Sequence, residues 1–333
     1  MTELEELQQK MINLRHKTRE GEVFQSLGEA ISEIVGHLDL LPVTPVLTPK
    51  NDDEILSYMQ MYRQQPSEGD VLSDGLSDDT NISDDVLMAI AEQLANPTAK
   101  YRDNGAFVFL SDIIQKNLIS EAQMSLLATY FVSDDQLFAH IFERANDGIY
   151  RRSFSMLMLS LLLFIQRTKK SFLTDIQLSR IIDQVALYAI LERDTRGFIN
   201  TNGWAHAFTH IGNVVSEIML MPKLVRADKL FVLASMLAGY RELKLPLMMG
   251  ETERLVEVVI YAANAHRLYC DYVLITLKLW RKDLVTRQNI ATEANWHQLY
   301  NRTRFFHAII LTGAQNVPKS IYDYVEQTKG YLT

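Results

Sequence analysis

All-α is the fold class this sequence predicts, and three observations predict it. Apolar residues recur at helical spacing along most of the chain, and no period-two alternation lasts long enough for a strand. Third, five apolar helical segments open at nearly equal intervals. Their openings, Arg102, Arg152, Trp204, Arg254 and Arg304, are separated by 50, 52, 50 and 50 residues. A second amphipathic segment fills each gap, over 121–131, 175–190, 227–240 and 269–280, so the repeating unit is a pair of helices. Such pairs point to an α-solenoid, a right-handed superhelix of the HEAT or armadillo kind. In it each pair buries its apolar face against the next. A closed α/α barrel or an irregular helical bundle would share this periodicity.

Along the chain, residues 3–20 come first and are polar, with Leu4, Leu7, Met11 and Leu14 as a narrow apolar stripe, which predicts a helix; 23–38 repeats the pattern. Pro42, Pro45 and Pro49 exclude a helix over 41–49, because proline lacks an N–H and pushes its predecessor toward extended backbone. A short helix is expected over 52–63. Residues 64–82 then shift in composition, with Pro66, Gly69, Gly75 and the acids Glu68, Asp70, Asp74, Asp78 and Asp79. This reads as an exposed acidic loop. Its acids fall four apart, not at the alternate spacing of a calcium loop. The organisation expected is therefore N-terminal helices over 1–63, the loop over 64–82 and a helical-repeat domain over 83–333.

Composition narrows the function. With 47% apolar and 22% charged residues, the 333-residue chain can bury a sizeable core. A net charge of -8 without a basic block argues against nucleic acid and against an anionic membrane surface as partners. The longest near-apolar run, 154–165, falls short of the roughly 20 residues a membrane span needs. The first ten residues are polar and unlike a signal peptide. The single cysteine, Cys270, allows no internal disulfide and is expected to be a buried, inert thiol. A cytoplasmic location fits these features.

An arginine in the first turn of a helix faces the positive end of the macrodipole, so a carboxylate should answer it. Asp103, Asp147 and Glu253 stand close in sequence. Arg102, Arg152 and Arg254 are therefore read first as arginine–carboxylate ties between successive pairs. The alternative is a row of arginines aimed at an anionic ligand.

The densest run of chemistry-capable residues is Glu192, Arg193, Asp194 and Arg196, then Asn202-Gly203-Trp204-Ala205-His206, then His210. Asn202-Gly203 is a turn signal that can open a helix. On that helix Trp204, Phe208, Ile211, Val215 and Ile218 form a packing stripe, and His206, His210, Asn213 and Glu217 a polar one about 200° away. His206 and His210 have metal-ligand spacing, yet Ala207 stands where a zincin helix carries its Glu. A third ligand would have to be Asp194, Glu192 or His266. No cofactor is expected, and a divalent metal on His206 and His210 is the less favoured option. Other roles for the pair are acid/base work with Asp194 orienting an imidazole, or a structural network with Asp194 or Arg196. No nucleophile elbow, phosphate loop or dinucleotide fingerprint occurs. The leading expectation is a binding scaffold for a peptide, a partner protein or a small anionic ligand. Its candidate residues are Asp194, Arg196, Trp204, His206 and His210, with Arg102, Arg152 and Arg254 along a concave face.

The run Glu192-x-Asp194-x-Arg196-Gly197-Phe198, with Gly203-Trp204-Ala205-His206-Ala207 and His210, resembles the bacterial domain of unknown function 2785. So do Tyr101-Arg102-Asp103 and Arg152-Ser153-Phe154-Ser155, and the resemblance spans roughly 83–306. It implies a bacterial, Gram-positive, cytoplasmic protein and no particular activity. The family pattern places a small residue and an Asp after the second His. Gly212 and Asn213 stand here, which weakens the enzymatic reading.

Overall fold

The computed structural model describes residues 1–36, 39–64, 82–286 and 292–329, and is all-α apart from one short hairpin. Residues 65–81, most of the expected acidic loop, lie outside the described residues.

Local sequence starts and stops many helices. Thr2 caps α1 (Glu3–Glu20) in a reciprocal box with Glu5, and Gly21 ends it in the left-handed conformation. α2 (Leu27–Val35) follows, then α3 (Asp53–Gln64) and α4 (Asp84–Glu92), whose Ser83 caps Val86 N–H. α5 (Ala99–Tyr101) runs through a π-helical stretch, Arg102–Phe107, into α6 (Val108–Gln115). Then come α7 (Glu121–Phe131), α8 (Asp134–Leu137), α9 (Gly148–Thr168) and α10 (Asp175–Leu191). Two-residue strands β1 (Phe198–Ile199) and β2 (Gly203–Trp204) pair antiparallel. The remainder is α11 (Ala207–Leu220), α12 (Arg226–Arg241), α13 (Glu251–Ala265), α14 (Arg267–Thr286), α15 (Glu293–Thr312) and α16 (Lys319–Thr328).

From α9 onward several helices pack on the one two places further along, although α12 lies mainly on α10 and α2, and α13 packs on α14 as well as on α15. α9 lies on α11, α11 on α13 and α13 on α15, while α10 lies on α12 and α14 on α16. Two rows result, sharing one apolar core that runs from Leu7 to Val325. α9 is largely enclosed, with Met156, Met158, Leu159 and Leu162 all 0% exposed. Among the described residues it alone is long and apolar enough to cross a membrane, and 78% of its apolar window is buried in the protein. In the second row, a Cβ on Gly239 would sit 2.0 Å from the Ala189 carbonyl oxygen, so only glycine allows α12 this close to α10.

The N-terminal helices are part of this core. α1 lies across α10 and α12, and α2 lies on α12. Buried Arg15 donates to Asp228 at 2.9 Å and pairs with Asp183 at 2.7 Å, tying α1 to both helices. α3 covers the π-helical stretch, with Leu56 and Met59 against Gly105. Between α2 and α3 the proline-bearing segment is not helical, as expected, and Leu41 forms a parallel bridge with Glu143.

Three placements differ from expectation. Arg304 lies in the middle of α15, whose start at Glu293 is set by the Thr292 cap. Trp204 is not on the helix at all: residues 200–202 turn the hairpin, Gly203 (φ 79°) opens its second strand, and α11 opens only after His206. Cys270 is partly exposed, its sulfur 3.5 Å from the Ser320 hydroxyl.

Candidate functional site

The hairpin lies across the starts of several first-row helices. Arg196, just before β1, donates at 2.6 Å to the Asn146 carbonyl ahead of α9. Gly197 abuts Met249 and Glu251 at the opening of α13, while Gly203 abuts Ala99 and Arg102. The positive ends of these helices meet at one edge, and buried carboxylates from Glu192, Asp194 and Glu251 answer them.

Two expected arginines are sealed here. Arg102, 0% exposed, donates to the carbonyls of Asn96, Pro97 and Asn202 and pairs with Asp103 at 2.7 Å, with its guanidinium 4.3 Å from the Tyr150 ring. Arg152 grips the Glu192 carboxylate with two nitrogens, at 2.9 and 3.2 Å. Glu192 also accepts from Tyr188 and from the Asp194 N–H. Burial alone would raise the Glu192 carboxyl, but Arg152 and these donors outweigh it and hold it below the usual value. A row of ligand-facing arginines is therefore not built: apolar packing around α9 encloses both side chains. Of the three, only Arg254 reaches solvent, bonded to Asn213 at 2.8 Å and Glu257 at 3.0 Å. Asp103 answers Arg102 as anticipated, whereas Arg152 takes Glu192 and Arg254 takes Glu257.

The histidines divide sharply. His210 is buried, its Nδ1 2.8 Å from the Ser153 carbonyl and its ring edge-on to Phe154. A carbonyl only accepts, so Nδ1 carries a proton and the neutral ring is this tautomer. Burial, with His206 nearby, pulls its pKa down to about 4 despite that bond. His206 precedes α11 in the left-handed conformation (φ 51°), unusual for a non-glycine residue. Its ring stacks on Trp204 at 4.0 Å and 7°, and Nδ1 faces Glu251 Oε1 at 3.6 Å, just too far for a hydrogen bond. Glu251 is 1% exposed; its Oε2 accepts from the Met249 N–H, while Oε1 has no hydrogen-bond partner. Asp194, the carboxylate expected beside an imidazole, is instead clasped by Arg196 at 2.6–3.1 Å. Among the described residues no three His, Cys, Asp or Glu side chains cluster to hold a metal ion.

Glu251 escaped sequence reasoning. An acid at the first position of a helix is an ordinary helix-start signal, and nothing local connects it with His206. Also unanticipated is the apolar platform over this edge: Phe198 is 46% exposed, Trp204 41%, Met248 69% and Met249 47%. Phe198 meets Trp204 edge-on at 4.9 Å. Further along the same helices runs a groove of about 270 Å³, lined by Phe107, Leu157, Leu161, Asn213, Glu217 and Arg254 among others. Asn213 and Glu217 of the expected polar stripe thus share one cavity, which Trp204 and His206 do not line.

No curated protein and no solved structure matches this chain. Residues 137–311 match the family described as Protein of unknown function (DUF2785), a span holding α9 to α15 with the hairpin and the Trp204–His206–Glu251 cluster. The chain, as its Gly-Trp-Ala-His-Ala run indicated, belongs to that family.

Proposed function

We propose that this protein is a binding scaffold built as a right-handed α-solenoid, with its ligand site on the hairpin edge. The succession α9, α11, α13 and α15, each packed on the next, supports the solenoid. One observation carries the site: an exposed tryptophan is stacked on an imidazole whose left-handed backbone the surroundings must enforce. Exposed aromatic and methionine side chains together make an adaptable contact surface, and clustered exposure of this kind marks interaction sites. The ligand is a peptide or a partner protein segment with apolar side chains. A small anion fits less well, because Arg102 and Arg152 are enclosed.

The test is to pan a displayed library of random peptides on the protein and measure the enriched peptides against Trp204→Ala and Met249→Ser. Binders should weaken about tenfold or more, near 1.4 kcal/mol. No enrichment, or binders indifferent to both changes, removes the reading.

A second reading, an enzyme, is favoured by the His206–Glu251 pair. There Glu251, not Asp194, would orient the imidazole as an acid/base group. A divalent metal on His206 and His210 is disfavoured, since Asp194 is held by Arg196 and no third His, Cys, Asp or Glu joins the pair among the described residues. Emission spectroscopy on protein purified without chelator checks this; near-stoichiometric metal would revive it.

A further inference from the structure

The non-helical, proline-bearing segment between α2 and α3 is attached in an unusual way. Its apolar side chains are largely outside: Leu41 is 54% exposed, Val43 52% and Leu47 87%. What holds it is polar and largely main-chain. Leu41 N–H donates to the Phe142 carbonyl at 2.8 Å, and Arg144 N–H donates back to the Leu41 carbonyl at 3.0 Å. Glu143 reads Thr44 twice, accepting its N–H at 2.9 Å and its hydroxyl at 2.6 Å. His140 flanks the same hydroxyl at 3.2 Å. Further on, Gln93 donates to the Lys50 carbonyl at 3.2 Å and Asn96 to the Asn51 side chain at 3.1 Å.

We propose that the surface made by Gln93, Asn96, His140, Glu143 and the backbone of 142–144 is a docking rail for an extended, proline-containing polypeptide. In the free chain, residues 41–51 occupy that rail. Three features support the assignment. Main-chain pairing of an incoming segment with exposed backbone is a general mode of peptide recognition, and the Leu41–Glu143 bridge is one such pairing. Three prolines within the segment hold it extended before it binds, so little conformational freedom is lost on docking. With no apolar anchor buried, a competing segment can replace the occupant without opening the core.

Glu143 sets the specificity. Both its oxygens serve the Thr44 position, so the rail selects a hydroxyl residue there, followed in this chain by Pro45. A phosphorylated hydroxyl would be repelled by the carboxylate. The partner is thus an extended segment carrying an unmodified Ser-Pro or Thr-Pro step. This inference stands apart from the Trp204 platform, and either can fail alone.

The experiment uses the full chain with residues 41–51 replaced by a glycine–serine linker of equal length. Isotope-labelled protein is titrated with a synthetic peptide of residues 39–52, read at the amides of Phe142, Glu143 and Arg144. Expected are saturable shifts at those amides, and binding to the unaltered chain weaker by about tenfold or more, since its tethered segment competes at high effective concentration. A Thr44→Val peptide should also bind about tenfold more weakly, having lost the hydroxyl. Absence of shifts in a linker chain that melts like the parent, or equal binding of the Thr44→Val peptide, overturns the proposal. Should the linker chain not fold, hydrogen exchange on full-length Thr44→Val decides. Faster exchange at Leu41 and Arg144 with α9 unchanged supports the rail, and unchanged protection at both overturns it.

Discussion

Two junctions on the same edge pair a basic side chain with a buried carboxylate, and they are built to different degrees of completion. At the start of α9, Arg152 and Glu192 close a two-nitrogen clasp, with Tyr188 and the Asp194 N–H filling the remaining acceptor positions. At the start of α13, Glu251 stops 3.6 Å short of His206, one oxygen is without a hydrogen-bond partner, and the imidazole leans on a half-exposed tryptophan. A finished buried network specifies structure. An unfinished one beside solvent is where function is to be sought.

The largest effect should come from opening the finished junction. Glu192→Ala would leave Arg152 buried without its counter-charge, and we expect a loss of about 3–5 kcal/mol in chemical denaturation. A loss under about 1 kcal/mol would mean that the clasp is not what holds α9 to the segment after α10.

Next comes acid. The His210 pKa in the folded protein is about 4, against an ordinary 6.5, so the unfolded chain binds more protons between those values. Stability from this group is complete above pH 6.5 and is lost as pH falls toward 4. At pH 5 the loss relative to pH 7 should be about 2 kcal/mol. Glu192, whose pKa lies below its ordinary 4.5, loses its contribution only at lower pH, so the two are separable. His210→Gln keeps a donor for the Ser153 carbonyl and should flatten the slope between pH 7 and 5. An equally steep slope in the variant would place the acid sensitivity elsewhere.

The unfinished junction should be nearly silent in stability. His206→Gly removes the strain of a left-handed non-glycine residue, worth about 1 kcal/mol, while losing the Trp204 stack. The net change expected is within about 1 kcal/mol. A loss above about 2 kcal/mol would make His206 structural and erase the contrast between the two junctions. Trp204→Ala should be the mildest, within about 0.5 kcal/mol in melting experiments, because the ring is exposed. Its effect belongs in the binding assay.

Much of the architecture was readable in one dimension. The boundaries of α1, α7 and α10 come from capping residues and apolar periodicity, because Thr2, Ser120 and Thr174 each close a box with the side chain three places on. Of the recurring residues, Arg254 falls in the first turn of α13 and Arg152 one place beyond that of α9, Arg102 opens the π-helical stretch, and Trp204 stands in the hairpin ahead of α11. The fifth, Arg304, marked no beginning. The hairpin was harder to read: two strands of two residues give no period, and Asn202-Gly203 signals a turn without distinguishing a helix from a strand beyond it.

Composition and helical spacing, acting over a few neighbouring residues, determined that this chain is helical and where most helices lie. Those interactions are local, so the order of residues is enough to specify them. Which side chains stay wet is different. Arg102 and Trp204 open similar segments in sequence, yet one is 0% exposed and the other 41%. That outcome depends on Tyr150, Phe154 and the Asn202 carbonyl arriving over Arg102, and on Glu251 arriving under His206. Only the folding of distant helices onto one edge brings those partners together.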